Sequence, residues 1–204
     1  SPRILTFADR EDLEAMRRDI KRVKKSADVV VIGIHWGLHF VPGALAMYEM
    51  EIGHAAIDAG ADLVLGHHQH ILKGIEVYEG KVIFHGLGNF AFDLAHGTGE
   101  AFPPRRKIVR QLYPGLIGQQ PDYPRYPFPA DARKTIIAKA TISDKRIEKV
   151  SFLPCMINKE SQPEVLTPED KSFEDVASYL ERISREAGFD TKCAVVGAEI
   201  VITS

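Results

Sequence analysis

The sequence predicts an α/β fold, because two short apolar runs flank an amphipathic stretch and each run is soon followed by histidine. The runs are DVVVIGI, residues 28–34, and DLVL, residues 62–65, and both are rich in the side chains of buried strands. The stretch between them, residues 44–59, repeats its apolar side chains every three or four positions, as a helix does. Gly60 follows where a helix C-terminus is expected.

Composition and charge are those of a globular chain able to bury one core. The 204 residues are 45% hydrophobic and 26% charged with a net charge of −2, so the overall charge does not call for a nucleic-acid partner. No apolar window reaches the length that a membrane span needs, and no signal-peptide pattern opens the chain. Ser1 rather than Met begins it, which is compatible with a removed N-terminus, and the compartment stays open between cytoplasm and cell envelope. Cys155 and Cys193 lack C-x-x-C spacing, which predicts two thiols.

The first half of the chain supplies three further elements. Residues 9–25 predict a helix with an apolar stripe and an acidic first turn. Its other face is basic, which is typical of solvated surface more often than of a site for a phosphate polymer. After the second apolar run, residues 74–78 and 82–84 predict two strands joined by a turn at Gly80.

A long proline-rich stretch divides the chain. Residues 95–130 carry several arginines and then interleaved aromatic side chains, and a loop of this length is usually a lid, a binding element or disordered. It is either an aromatic and cationic cover that selects an anionic substrate or a variable surface insertion. The predicted organisation is a core over residues 1–94, this loop or lid, and a remainder of the same domain over residues 131–204.

The second half predicts simple structure without histidine chemistry. Residues 134–142 and 147–153 alternate about a turn as a β-hairpin that extends a sheet. Residues 173–187 predict a helix, and residues 194–202 a closing strand. No histidine occurs after His96, so the predicted chemistry is confined to the first half.

Three histidines follow the second strand in GHHQH, residues 66–70. In an extended chain, His68 and His70 project to one side and His67 to the other. This H-x-H clip predicts a metal site, because neutral imidazole is a common metal ligand. His35 ends the first strand, and the carboxyl ends of neighbouring parallel strands meet at one edge of a sheet, so the two groups are expected to converge. The alternative is a polar surface loop that happens to be rich in histidine.

These motifs resemble a known family. HWG at 35–37, GAD at 60–62, G-x-H-x-H at 66–70 and LGNF at 87–90 have the order and spacing of the C-terminal half of the bacterial capsule-synthesis CapA family, also called the poly-γ-glutamate synthesis family. The resemblance covers about residues 19–93 and thins out beyond. The family is similar in fold to calcineurin-like metallophosphoesterases. The resemblance therefore implies the C-terminal half of a metallophosphoesterase-like αββα sandwich, with a β-hairpin extension.

The resemblance also implies a set of ligands. Matched by motif, His35 and His68 would share one divalent ion and His70 would bind its neighbour, in a dinuclear site of manganese, zinc or iron. Such a site needs two ions about 3.5–4 Å apart and carboxylate ligands, which the family carries in an N-terminal half that does not match here. Three explanations stay open: that half of the same protein is missing from the sequence, a separate chain supplies it, or local residues such as Asp93, His39 or His67 substitute. We favour the first.

Four other residues are candidates for roles around the metal. His67 is the candidate catalytic residue, for proton transfer, with a structural histidine as the alternative. His39, Asn89 and His85 are candidates for substrate binding. Asn89 has the alternative role of holding a turn. His85 stands where the family usually has serine or tyrosine, so it is either an extra site residue or a core histidine bonded to a neighbour.

The predicted function is that of a metal-dependent hydrolase of the CapA kind, acting on a phosphoester or on an anionic peptide-like polymer or its precursor in capsule or poly-γ-glutamate biosynthesis. The expected partners are an anionic small-molecule or polymer substrate and the missing N-terminal half. Neither nucleic acid nor a membrane span is expected. A mononuclear amidohydrolase is disfavoured, because its barrel needs ligands on later strands. The alternative is a non-catalytic polymer-binding or export subunit with a vestigial metal site.

Overall fold

The computed structural model describes residues 5–91, 122, 123, 126 and 128–203. These residues form a mixed α/β structure of two sheets and three α-helices, which confirms the predicted fold class. The elements in chain order are α1 Arg10–Lys24, β1 Val31–His35, α2 Met47–Asp58, β2 Leu63–His67, β3 Ile75–Tyr78, β4 Lys81–Phe84, a 3-10 helix Ala130–Arg133, β5 Lys134–Ser143, β6 Arg146–Ile157, β7 Pro163–Val165, α3 Lys171–Glu186, β8 Lys192–Val196 and β9 Glu199–Thr203.

The first sheet has the strand order β1-β2-β4-β3. β1 and β4 both run parallel to β2, and β3 closes the sheet antiparallel to β4. The register pairs His35 with His67, so the carboxyl ends of β1 and β2 meet at one edge. On one face, Ile20 of α1 and Ile57 of α2 share an apolar core with Val64. Asp9 caps α1 by accepting hydrogen bonds from two backbone N–H groups of the first turn.

The second sheet is antiparallel and has the order β5-β6-β9-β8, with β7 added beside β6. β5 and β6 form the predicted hairpin, which is longer than the sequence pattern indicated. Helix α3 packs its apolar stripe into the largest core of the molecule. That core joins Leu63 and Phe84 of the first sheet to Phe152 of the second sheet and Ile183 of α3. The histidine-bearing sheet is therefore supported by a second, purely structural layer.

One element of the second half differs from the sequence-based prediction. Residues 194–202 are not one strand but the hairpin of β8 and β9, which turns at Gly197 with a φ of +62°. The apolar side chains on both sides of Gly197 hid this turn, although a central glycine is itself a turn signal. Residues 95–121, 124, 125 and 127 of the predicted lid, which include His96, lie outside the described residues, as does Asp93 before the lid.

Candidate metal site

The HWG turn that presents His35 is fixed by hydrogen bonds from both sides. Trp36 is 3% exposed, and its indole N–H donates to the carbonyl oxygen of His85 at 2.9 Å. The backbone N–H of Gly37 donates to the hydroxyl of Tyr48 at 2.7 Å. Gly37 has a φ of +91°, a conformation that glycine adopts at little cost. His35 therefore projects from a rigid turn at the carboxyl edge of the sheet.

The H-x-H segment does not continue as an extended strand, so the alternation argument for its geometry was wrong. β2 ends at His67, and the backbone then turns with a φ of +101° at His68 and +55° at His70. Left-handed backbone at residues other than glycine costs on the order of 1–3 kcal/mol each and is found mainly at functional sites. The turn nevertheless brings His68 and His70 to the same place as His35.

Four imidazoles meet at this edge, and we call His35, His39, His68 and His70 the histidine cluster. A hydrogen bond of 2.7 Å joins His68 Nδ1 to His35 Nε2. The ring of His39 lies 3.9 Å from that of His68 and is stacked 5.6 Å from that of His70, measured between centroids. Residues 36–46 are not helical, so His39 reaches the cluster through a loop.

Two rings of the histidine cluster, those of His39 and His68, favour the neutral imidazole form. Burial, and then the neighbouring His68, His70 and His35, lower the pKa of His39 to about 4. Burial and then His35 also lower the pKa of His68. Burial is the larger cause, because it disfavours the charged ring, and adjacent imidazolium rings also repel each other. Near neutral pH the rings of His39 and His68 therefore carry the lone pairs that a metal ion needs.

His70 is held by side chains from two distant parts of the chain. Its Nδ1 lies 2.7 Å from Oδ1 of Asn89, and the amide nitrogen of Asn89 donates to the Tyr126 hydroxyl at 2.8 Å. The ring of Phe128 stacks on the His70 ring at 5.0 Å, and Phe40 packs against both. The described part of the proline-rich stretch thus reaches the candidate site.

Asn89 therefore contacts a cluster histidine directly, at 4% exposure. The sequence indicated Asn89 through its LGNF motif, although for substrate contact. The aromatic residues interleaved in the proline-rich stretch indicated a cover. Nothing in the sequence pointed to Phe40 as a neighbour of His70.

His67 and His85 lie apart from the clip. His67 pairs with His35 across β1 and β2, and burial, followed by the charge of His35, lowers the pKa of His67. His85 is completely buried between the rings of Trp36 and Phe189. This burial corrects the substrate-binding prediction for His85, because a side chain without exposed surface cannot contact a substrate, and it favours the core-histidine alternative.

The partner of His85 is a buried carboxylate. His85 Nε2 lies 2.9 Å from one carboxylate oxygen of Glu76, and His54 Nε2 lies 2.6 Å from the other. Burial opposes the ionisation of Glu76, but the hydrogen bonds from His85 and His54 outweigh it and lower the pKa of Glu76. These three residues form a polar network inside the first sheet, separate from the histidine cluster.

The side chains of the histidine cluster are of the kind that binds metal ions, but they do not make up a complete set of ligands. Neutral imidazoles suit zinc, manganese and iron. However, within the described residues no group of three or more His, Cys, Asp or Glu side chains is arranged so that it could hold a metal ion. The hydrogen bond between His35 and His68 occupies a nitrogen of each ring, and a metal would have to replace its proton. In the part of the chain that the structure describes, the cluster supplies the imidazole part of a site without a carboxylate.

A separate cavity of about 430 Å³ lies between the two sheets, at the amino ends of β2 and β4. Its position is at the opposite end of these strands from the histidine cluster. The carboxylate of Asp62 at its wall is already paired with Lys24 at 2.6 Å and with Lys81 at 3.1 Å. Because these charges satisfy one another, the cavity gives no argument for a ligand.

Comparison with known proteins extends the resemblance seen in the motifs. The family model described as "Bacterial capsule synthesis protein PGA_cap" matches residues 3–94. The "PGA biosynthesis protein CapA" of Bacillus subtilis is 47% identical over 74 residues, which are 36% of this chain and 19% of the relative. The "Capsule biosynthesis protein CapA" of Bacillus anthracis is 43% identical over 70 residues, 34% of this chain and 17% of that protein.

A more distant relative aligns over a longer stretch. A "Probable polyglutamine synthesis accessory protein" of Mycobacterium tuberculosis is 33% identical over 107 residues, 52% of this chain and 27% of the relative. The chain thus spans less than a third of the length of each of these relatives. In the described part of the chain, no helix is both long and apolar enough to cross a bilayer.

The matched residues contain the whole histidine cluster together with Asn89, so the family resemblance and the site coincide in one segment. Over residues 3–94, the chain is similar to the bacterial capsule synthesis family.

Proposed function

We propose that the histidine cluster is the imidazole part of a divalent-metal site in a hydrolase-type enzyme of capsule or poly-γ-glutamate biosynthesis. The observation that carries this proposal is the convergence of four imidazoles at the carboxyl edge of two parallel strands, on strained backbone. Such a backbone is retained where function requires it. The relatives carry capsule and polyglutamate synthesis in their names, which supports an anionic polymer or its precursor as the substrate class.

His35, His68 and His70 are the proposed ligands, in the pairing that the family resemblance implies. When bound, manganese, zinc or iron would polarise the reacting group and lower the pKa of water. His39 would bind substrate beside the ligands, where its stacked ring narrows the approach. His67, one residue before the clip, would transfer a proton. A metallophosphoesterase-like αββα layering belongs to the same proposal, supported by two sheets that share one core.

No carboxylate joins the histidine cluster among the described residues, and β1 offers a place for further polypeptide that would supply one. Within the described residues, β1 pairs only with β2, so its other edge carries unpaired backbone groups. Val31 is 45% exposed, and the strand holds no proline or charge of the kind that usually protects an edge. We propose that a strand from the N-terminal part of the same protein pairs with β1 and brings carboxylates to the cluster.

Metal content is the decisive measurement. The purified protein is loaded with Mn²⁺ or Zn²⁺, desalted, and analysed for bound metal beside the variant His68→Ala/His70→Ala. We expect metal in the wild type and a loss of at least tenfold in affinity in the double variant. The matched control is His67→Ala, which removes a neighbouring histidine outside the proposed ligand set and should keep the metal.

An activity assay then distinguishes a hydrolase from a non-catalytic binding subunit. Release of phosphate from a phosphoester, or of amine from poly-γ-glutamate, should follow metal loading and should fall in His67→Ala. The second candidate, a non-catalytic polymer-binding subunit, is favoured by the lack of a three-ligand group among the described residues. Metal-free protein of unchanged fold that still binds poly-γ-glutamate would support that candidate and overturn the hydrolase.

A further inference from the structure

Tyr126 lies outside the family-matched segment but reaches the histidine cluster through Asn89. The residues are far apart in sequence: Asn89 is 19 positions from His70 and 37 from Tyr126. Both hydrogen bonds of the connection are direct contacts between side chains. Tyr126 and Asn89 are 3% and 4% exposed, so the connection is shielded from water. Hydrogen bonds in such surroundings are stronger and hold their geometry better than exposed ones.

The direction of each hydrogen bond between Tyr126, Asn89 and His70 follows from one fixed acceptor. The hydroxyl of Tyr126 donates to the backbone carbonyl of Ala132, which can only accept. The hydroxyl oxygen must therefore accept from Asn89, so the amide nitrogen of Asn89 faces Tyr126 at 2.8 Å. The same amide nitrogen also lies 3.3 Å from the backbone carbonyl of His70. Two acceptors thus set the orientation of the Asn89 amide.

That orientation decides which nitrogen of His70 carries the proton. With its amide nitrogen turned to Tyr126, Asn89 presents its carbonyl oxygen to Nδ1 of His70 at 2.7 Å. An oxygen acceptor requires a proton on Nδ1, so in the neutral ring Nε2 is the unprotonated nitrogen. The stacked ring of Phe128, 5.0 Å away and inclined by 19°, keeps the imidazole plane in place.

We propose that Tyr126, acting through Asn89, is a positioning residue that holds His70 in its Nδ1–H tautomer, so that Nε2 is the nitrogen offered to a metal ion. A hydrogen bond to the non-ligating nitrogen is the usual way in which proteins orient a metal-binding histidine. The tautomer is a property of the metal-free chain. Only its consequence for metal binding rests on the proposed function.

The tautomer is measured directly from the ring ¹⁵N shifts of His70 in the metal-free protein at a pH at which the ring is neutral. We expect the Nδ1–H form in the wild type and in Asn89→Asp, because a carboxylate also accepts from Nδ1–H. Asn89→Leu and Tyr126→Phe should lose that preference, the first by removing the acceptor and the second by releasing the amide. Tyr123→Phe is the matched control, because it deletes a hydroxyl from the same aromatic cluster.

Metal affinity is the second readout, measured by titration with Zn²⁺ or Mn²⁺. Tyr126→Phe should weaken binding by about 10- to 100-fold, as is typical when a partner of a ligand is removed, and Tyr123→Phe should not. Near-UV circular dichroism checks that each variant keeps its aromatic packing. If Tyr126→Phe does not fold, Asn89→Asp provides the test in its place, because it should retain the His70 tautomer.

The two readouts separate the failure of this proposal from the failure of the proposed function. An Nε2–H tautomer in the wild type, or a tautomer and affinity unchanged in folded Tyr126→Phe, would overturn the positioning role while leaving the metal site standing. A wild type that binds no metal, but whose tautomer responds to Tyr126→Phe as expected, would support the positioning role and overturn the metal function.

Discussion

The two sheets of the molecule place their polar groups in opposite ways. The first sheet and its loops bury charge and imidazole: Glu76, Lys73 and His85 are all at least 90% buried. The antiparallel sheet buries the hydroxyl side chains of Thr135 and Ser151 and has its ion pairs nearer the surface, as in the pairing of Glu199 with Lys139 and Lys149.

This difference has a physical meaning. A buried charge costs free energy unless every partner is in place, so it is retained where it orients something else. Lys73 illustrates this, because its ammonium donates to the backbone carbonyls of Val41 and Ala44 and so fixes the loop after His39. Burial lowers the pKa of Lys73 to about 8. In the first sheet, buried polar groups shape the candidate site. The antiparallel sheet supports the first sheet by packing against it.

The largest expected loss of stability is at Gly66, where the backbone of β2 packs against the buried polar groups. A Cβ at this position would lie 2.1 Å from the carbonyl oxygen of His85 and 2.5 Å from the indole nitrogen of Trp36. Neither atom can move without losing its hydrogen bond, so Gly66→Ala should lower the free energy of unfolding by about 3 kcal/mol or more. Urea denaturation measures this.

The control for Gly66 is Gly33 on the neighbouring strand. A Cβ there would have no neighbour closer than His67 Nε2 at 4.0 Å. Gly33→Ala should therefore change the free energy of unfolding by less than about 0.5 kcal/mol. Equal losses in the two variants would show that strand propensity, and not the packing against His85, determines the effect.

Removing the buried charge of Glu76 has the next largest expected effect. Glu76→Gln keeps the shape but replaces a carboxylate that accepts from both His54 and His85, so the free energy of unfolding should fall by roughly 2–4 kcal/mol. Thermal and urea denaturation measure the loss. Glu79→Gln is the control on the exposed turn of the same hairpin, where the free energy of unfolding should change by less than about 0.5 kcal/mol.

The smallest expected effect on stability is that of the ion pairs of Glu199 in the antiparallel sheet. This effect depends on pH. Hydrogen bonds from Lys139, Lys149 and Ser151 lower the pKa of Glu199 to about 2. A depressed carboxyl pKa contributes stability above the unfolded value, roughly 4.3, and this is lost as pH falls toward the folded value. The melting temperatures of wild type and Glu199→Gln should therefore differ modestly at pH 7 and converge between pH 4 and pH 2.5. A difference that grows on acidification would contradict this assignment.

The sequence by itself determined the local elements and the location of the chemistry. Apolar runs gave β1 and β2, helical periodicity gave α1 and α2, and His35 and His68 follow from their place at the ends of strands that lie side by side. These features depend on residues that are close in the chain or on a rule about parallel strands, so the pattern alone carries them.

Only the tertiary structure decided how each polar side chain is used. His85 became a core residue because Glu76 and two aromatic rings surround it, and His70 acquired its orientation from Asn89 and Tyr126. The backbone turn at His68 and His70 replaced the expected extended clip. The physical reason is that hydrogen-bond satisfaction in the interior depends on partners tens of residues apart, which no local period encodes.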